Sequence, residues 1–405
     1  MSTHPSVPAI SPGDLKLPDP VAAAARQIER DEHRTAWRPE LLARKNARMQ
    51  ESPFAYLRGT APLYYELLGA CPALADGPEG EGWIVGDLHL ENFGAFRTGS
   101  SDDQVVFDLN DFDDTVQAPW RWDLLRLLTS LILAARGRGM SGIVTTALAR
   151  KLVHAYADHL ASGRMPHVPT LVSKLTSQVA DRKREQFLNA RTKVTNGRRH
   201  FIHGDKYAEL PESVVKATAH ALKTFTPAPG DERPDAGKLE LVDAAFRIAG
   251  TGSLGCHRIA ALTEGRGSPD ACWVFDIKEE FPAAAELAGI RMNLAPNERV
   301  VRGIRRCLAQ GPRMLGTTSM NGRPMILRRF MPQEDKLEAA ALHQAEYEAI
   351  VPYFGALAAR GHLRGAEGRP PRAWTGRDCE EMVARAMVVA GWHEAVYLAW
   401  CRTLG

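Results

Sequence analysis

The spacing of apolar and polar positions predicts a mainly helical chain interrupted by a polar hairpin and, later, by a run of strands. Helices are expected over residues 21–33 and 38–50, and a turn leading into a helix over 52–68. Further helices are expected over 122–136, 143–160, 174–199, 297–310, 337–360 and 378–402. In the 297–310 helix, Val300, Val301, Ile304, Cys307 and Leu308 form the buried stripe. Ile84 and Val85 read as the end of a buried strand, and 105–109 as a second short strand. Period-two alternation then marks strands over 242–249, 256–263, 272–278, 313–318 and 324–330. The stretch TPAPGDERPDAG, 226–237, is rich in Pro, Gly and charge and reads as the linker between the two patterns. The fold class is α+β. Four parts are expected: a loosely docked or disordered arm over 1–20, a helical lobe over 21–225, a strand-rich lobe over 238–333, and C-terminal helices over 334–405 that return to the helical lobe.

The chemistry concentrates between the first two strands and the helix after them. IVGDLHLENFG places Asp87 and Asn92 on one arm of a hairpin, and VVFDLNDFDD places Asp111 beyond the other. Three oxygen ligands gathered at one point call for a cation, because unpaired carboxylates repel and are costly to bury. Hard oxygens beside an amide suit Mg²⁺, which completes its shell with water and phosphate oxygens. A polar hairpin with incidental Asp residues is the plainer account of the same letters. Downstream, Gly250-Thr251-Gly252-Ser253-Leu254-Gly255 lies between two expected strands, and Lys278 lies on the third, on the face opposite Trp273, Phe275 and Ile277. Glycines at a hairpin tip let phosphate oxygens approach without a Cβ in the way.

These segments resemble the protein-kinase-like superfamily, in particular its aminoglycoside and choline kinase branch. There a catalytic-loop Asp is followed five residues later by a metal-binding Asn, and a D-F-G Asp supplies the next ligand. Asp87 and Asn92 have that offset, Asp111-Phe112-Asp113 stands where D-F-G would, and Asp123-Leu124 matches the D-L helix start. Val85 replaces the first His of the pattern, and Asp113 replaces the Gly of D-F-G. The resemblance implies a two-lobe kinase-like fold with a small antiparallel nucleotide lobe, circularly permuted, since here the glycine turn and lysine follow the catalytic segment. It implies that Asp87 is catalytic, that Asn92 and Asp111 hold Mg²⁺, and that Gly250, Gly252, Ser253, Gly255 and Lys278 grip ATP. Glu298 is the candidate acid partner of Lys278, with Glu286 the alternative, and 330–333 the hinge facing adenine. His203-Gly204-Asp205 imitates the catalytic motif, but Leu210 stands where Asn should follow, so it is set aside. Along most of its length the chain is also similar to the bacterial domain-of-unknown-function 2252 family, through FAYLRGTAPLYYELL, GDLHLENFG, VVFDLNDFDDT, PWRWDLLRLLTS, RIAGTGSLG and VFDIKEE.

The activity implied is ATP- and Mg²⁺-dependent phosphoryl transfer to an unknown hydroxyl-bearing small molecule or protein. A nucleotide-binding pseudokinase or scaffold and an AMP transferase are the alternatives. A metal-dependent phosphoesterase would leave the glycine turn and Lys278 without a role. Composition narrows this little. A chain of 405 residues can hold more than one core, and a net charge of +3 does not by itself point to nucleic acid. Six scattered cysteines without a C-x-x-C pair fit reduced thiols. The first twenty residues lack the basic start and apolar core of a signal peptide, and the most apolar helix is interrupted by Arg126, Thr129 and Ser130, so a cytoplasmic protein without a membrane span is expected. The basic run over 174–199 reads as a solvated helix face or as a docking surface for an acidic substrate. Arg58, just before the helix of the 52–68 segment, can serve a phosphate or an ordinary ion pair.

Overall fold

A computed structural model describes residues 15–98, 104–267, 269–368 and 373–404. Residues 1–14 of the expected N-terminal arm lie outside these. Residues 15–19 dock on the C-terminal helix, where Trp392 Nε1 donates to the Pro18 carbonyl at 2.8 Å. Helix α1 (Pro20–Thr35) starts with proline in its first turn and the Asp19 side chain accepting from the Ala22 N–H at 2.9 Å. Next come α2 (Glu40–Gln50), α3 (Pro53–Leu57, capped by Ser52), α4 (Ala61–Ala70) and α5 (Pro72–Ala75). Four short strands follow: β1 (Glu81–Ile84), β2 (Phe93–Arg97), β3 (Val105–Leu109) and β4 (Val116–Pro119). The pairs β1–β4 and β2–β3 are antiparallel, so the turn carrying Asp87 and the turn carrying Asp111 leave adjacent strand ends. Helix α6 (Trp120–Gly137) is buried on almost every side and packs on α7 (Gly142–Ser162).

The expected helix over 174–199 is not one element. Helix α8 (Thr170–Ala180) ends before Asp181, α9 (Arg184–Asn189) is short, and β5 (Thr192–Thr195) and β6 (Arg198–Phe201) form a hairpin. Asn196 and Gly197 both have positive φ, 51° and 74°, which gives the two-residue turn that suits the twist of paired strands. Arg182 and Lys183 lie between α8 and α9, Arg184 opens α9, and Arg198 and Arg199 lie on β6, so the basic residues share no helix face.

The strand-rich part is one antiparallel sheet, and it reaches further toward the N-terminus than residue 238. It contains β7 (Tyr207–Ala208), β8 (Thr226–Pro227), β9 (Leu241–Arg247), β10 (Arg258–Thr263), β11 (Trp273–Glu279), β12 (Gly316–Met320) and β13 (Arg323–Phe330), in the order β7-β9-β10-β11-β13-β12-β8. The start of the expected linker is therefore an edge strand. Helix α10 (Glu212–Thr224) covers one face, where Ala221 and Leu222 meet Phe275 and Ile277. Val274 lies on the opposite face with Phe187 and Leu188, and by alternation Asp276 and Lys278 share that face.

Helix α11 (Pro296–Cys307) separates β11 from β12, and β14 (Glu334–Lys336) returns to pair with β2. Residues 331–333 thus link the sheet to the polar hairpin, with the Arg97 N–H donating to the Gln333 carbonyl at 3.0 Å. Helix α12 (Gln344–Arg364) starts later than 337, where the Glu346 carboxylate accepts from the His343 N–H at 2.8 Å. Helix α13 (Gly376–Leu404) closes the chain by packing on α1, α3, α6 and α7. One large apolar core unites α1, α3, α4, α6, α7, α12 and α13 with the hairpin strands. All six cysteines are free. Among the described residues no helix is long and apolar enough to cross a membrane.

Candidate active site

The turn after β1 is clamped before it reaches Asp87. The buried Asp123 carboxylate accepts from the N–H groups of Val85 at 2.6 Å and Gly86 at 2.9 Å, and His362 Nε2 lies 3.2 Å away. Gly86 has φ +88°, and a Cβ there would lie 1.9 Å from the Asp114 carbonyl oxygen, so only glycine fits. Asp87 then projects toward the buried guanidinium of Arg126, which also donates to the Leu57 carbonyl at 2.9 Å. Asp87 keeps about a fifth of its side chain open to the cleft. Burial pushes its carboxyl up to about 7; Arg126 opposes this, while Asp114 and Asp111 add to it.

Asn92 is buried where the hairpin begins. Its Oδ1 accepts from the His89 N–H at 3.1 Å, and its carbonyl accepts from the Asn110 N–H at 3.0 Å, which ties the two turns together. His89 is itself buried, and its Nδ1 accepts from the Glu91 N–H at 3.2 Å. Burial, then Arg58, Arg126 and Lys336, hold its imidazole well below the ordinary histidine range, so it is neutral. Its role is to shape the turn.

Asp87, Asn92, Asp111 and Lys278 all line one cavity of about 190 Å³, together with Gly250, Thr251, Gly252 and Ser253 of the glycine turn. Asp111 is exposed, and among the described residues no side chain donates to it. Lys278 is buried and pairs with Asp113, the acid standing where D-F-G has glycine. Neither Glu298 nor Glu286 meets it: both are exposed and outside the cavity. The α11 side chain that reaches the site is Arg299, whose guanidinium donates to the carbonyls of Asp113 at 2.9 Å and Phe281 at 2.8 Å, and also to that of Thr115. It fastens the Asp111–Thr115 turn to the sheet lobe. Gly255 also stays out of the cavity. Its carbonyl accepts from Trp37 Nε1 at 2.7 Å, and a Cβ there would lie 2.9 Å from the Arg34 carbonyl oxygen, so it serves close packing on the end of α1.

Ion pairs balance part of the charge of the acids. Besides Asp87–Arg126 and Asp113–Lys278, Glu91 pairs with Arg58 at 2.9 Å and Lys336 at 2.8 Å. Arg58 is thus an ion-pair partner that also lines the cavity. Among the described residues no group of three or more His, Cys, Asp or Glu side chains is gathered to hold an ion. Asp111 and the remaining lone pair of Asn92 Oδ1 nevertheless supply two hard oxygens beside the cavity, a set that suits Mg²⁺ completed by water and phosphate. Glu280, the last residue of VFDIKEE, is a cavity residue with no role expected from the sequence. It is buried, Oε1 has no hydrogen-bond partner, and burial pushes its carboxyl up to about 7; Lys278 and Arg299 oppose this, and Asp111 and Asp114 add to it. Its position directly after the VFDIKE strand is the signal that could have found it. Arg126 was findable too, one helical turn after Asp123.

A second cavity, of about 250 Å³, lies against the same wall: it shares Asp111, Asp113, Lys278 and Lys336, with an apolar side of Phe112, Val300 and Ile326 and a charged side that includes Arg258, Asp276 and Arg328.

A family model described as an uncharacterised protein conserved in bacteria (DUF2252) matches residues 37–395, most of the chain, and this chain belongs to that family. Comparison with curated proteins and with solved structures gives no match.

Proposed function

For this member of the bacterial family, we propose an ATP- and Mg²⁺-dependent phosphotransferase of the protein-kinase-like kind, circularly permuted, acting on a hydroxyl-bearing acceptor. The observation that carries the reading is the single cavity shared by Asp87, Asn92, Asp111, Lys278 and the glycine turn, groups separated by long stretches of sequence. The topology supports it: the glycine turn joins β9 to β10, the lysine lies on the next strand, a helix follows, and a short link leads on to the polar hairpin. Packing of α13 on α1 and α3 supports permutation, because joined ends of a compact fold can be reopened elsewhere.

Each group then has a task. Asp87 accepts the acceptor's hydroxyl proton, and a carboxyl raised to about 7 suits a base working near neutral pH. Arg126 holds that carboxylate in place. Asp111 and Asn92 would hold Mg²⁺, which supplies charge neutralisation at the phosphate oxygens. Lys278 would exchange Asp113 for phosphate, and the backbone of Gly250, Gly252 and Ser253, which lines the same cavity, would hold the phosphate oxygens. A nucleotide-sensing pseudokinase is the second reading, favoured by the ion pairs that already occupy Asp87 and Lys278. AMP transfer would use the same cavity.

The test separates binding from chemistry. Asp111→Asn should abolish the Mg²⁺-dependent part of ATP's thermal stabilisation. Asp87→Asn keeps an oxygen for Arg126 and should bind Mg²⁺–ATP normally while turnover with the identified acceptor falls ~10²-fold or more. ATP binding without consumption across an acceptor screen would favour the sensor, and unchanged ATP affinity in both Lys278→Ala and Gly252→Val would remove the nucleotide clamp.

A further inference from the structure

The glycine turn has a second neighbour. Beside its first residue, between α2 and the β7–β9 edge, lies a groove of about 590 Å³ whose cations are Arg44, Arg48, Arg191, Lys206 and Arg247. They come from separate parts of the chain: two from one face of α2, one from the end of α9, one from the loop before β7 and one from the end of β9. A solvated basic face on a single helix would not gather them in this way.

Compensation is scarce. The one acid in the groove is Asp205, almost fully exposed and taken by Arg44 at 3.0 Å. Arg48 spends a donor on the Gly250 carbonyl, and Lys206 is exposed. The Asp276 carboxylate, 2.6 Å from Arg247, is shared with Arg258 and lies behind the groove. Burial and then Arg44 hold the Arg48 guanidinium below its usual range. Two of the cations are held in place by aromatic faces: Arg191 lies 3.9 Å over the Phe187 ring and Arg247 lies 4.2 Å over Phe330. Stacked guanidinium groups are preorganised, with less side-chain freedom to lose when an anion arrives. Asp205 meets Arg44 and Asp276 meets Arg247, so among the described residues Arg48, Arg191 and Lys206 have no carboxylate partner. Three such cations beside two paired ones, two of the five fixed by stacking, make a receptor for a multiply charged oxyanion.

We propose that this groove binds a phosphate-bearing anion of the pyrophosphate type, at a site separate from the Asp87–Lys278 cavity. The ligand sits against Arg48, Lys206 and Arg44, with the stacked Arg191 and Arg247 forming the floor. Arg48 also donates to Gly250, so occupancy that draws on Arg48 changes the hold on the glycine turn. The site stands whether or not the neighbouring cavity transfers phosphate.

Inorganic pyrophosphate without Mg²⁺, titrated into the full chain by calorimetry, tests this. One binding event is expected in the wild type and, unchanged, in Lys278→Ala. Arg48→Glu/Lys206→Glu should weaken it at least tenfold while the thermal midpoint without ligand stays near that of the wild type. Arg191→Met, which removes a stacked cation and keeps the apolar stem, should weaken it less. Failure of the wild type to bind overturns the proposal, as does binding that survives charge reversal or is lost in Lys278→Ala. Orthophosphate and AMP as further titrants distinguish a free oxyanion from the phosphate of a nucleotide: equal affinity for both means the groove reads phosphate alone, and a tighter AMP complex means it also reads the nucleoside. Failure of the phosphotransferase reading would appear separately, as loss of Mg²⁺–ATP binding or turnover with the groove intact.

Discussion

Two residues apart on one face of β11, Asp276 and Lys278 have opposite surroundings. Asp276 is buried among guanidinium groups, with Arg247 at 2.6 Å, Arg258 at 2.6 Å and Arg328 at 3.9 Å. Burial pushes its carboxyl up, but Arg247 and Arg258 outweigh burial and hold it well below the usual carboxylate range. Lys278 faces acids instead, paired with Asp113 and close enough to Glu280 to oppose the rise of its carboxyl. Around Asp276 cations exceed acids, and every oxygen is taken. Around Lys278 acids exceed cations, one carboxylate (Asp111) is free, and two others sit near 7. A buried carboxylate whose oxygens are all taken fastens its strands together, whereas a carboxylate left unpaired at a cavity wall can receive a cation or a proton.

The largest effect that tests this contrast is Asp276→Ala. It leaves Arg247 and Arg258 buried with no carboxylate, and removing one partner of a buried pair typically destabilises by about 3–5 kcal/mol. Urea unfolding at neutral pH should show a loss of that order; a change below about 1 kcal/mol would mean the arginines find water and the cluster is not what fastens the strand.

Glu280→Gln probes the other end. In the native protein the Glu280 carboxyl is pushed up to about 7 from an ordinary value of 4.5, so between these pH values the folded state binds a proton that the unfolded state has released. Wild-type stability attributable to Glu280 therefore falls as pH rises through that window. Glutamine does not titrate, so the difference between variant and wild type should shift in the variant's favour by on the order of 2–3 kcal/mol from pH 4 to pH 8. A constant difference would show that Glu280 is solvated or fully paired. Asp87 contributes a slope of the same sign, but it is common to both proteins and cancels.

The same contrast explains what the sequence could reveal. The offset of Asp87 and Asn92, the strand over 105–109 and the alternation around Lys278 are local patterns, and local patterns survive in the letters. The partners of these groups are not local. Asp113 meets Lys278, Arg126 meets Asp87 and Arg299 meets the carbonyls of the Asp111–Thr115 turn only once helices, hairpin and sheet pack together. Glu298 looked right by helical position, yet Arg299 is the residue its helix turns inward. Strands β7 and β8 are two residues long, too short to carry a period, so the sheet's extent was hidden and its edge read as a linker. The Asn196-Gly197 turn is the exception. Its dipeptide is a hairpin signal, and the surrounding arginines and lysines masked it by suggesting a helix face.

The smallest expected effect bears on how the under-matched end works. Lys278 cannot hold Asp113 and a phosphate equally well, because its ammonium is largely buried and its position is fixed by β11. If ATP recruits Lys278, binding must first loosen the pair with Asp113, which retains about a third of its side-chain exposure. Partly solvated pairs are worth roughly 0.2–1 kcal/mol, so Asp113→Asn should tighten Mg²⁺-free ATP binding by about 1.4- to fivefold. The substitution leaves the Asp113 carbonyl in place for Arg299, so the turn should keep its position. Calorimetry of ATP with EDTA, compared with the same titration in Mg²⁺, reads the effect. Tighter binding in both conditions means that Asp113 competes with phosphate for Lys278. Weaker binding only with Mg²⁺ would make Asp113 a ligand of the cation, and this acid would then belong to the metal and not to the resting lysine.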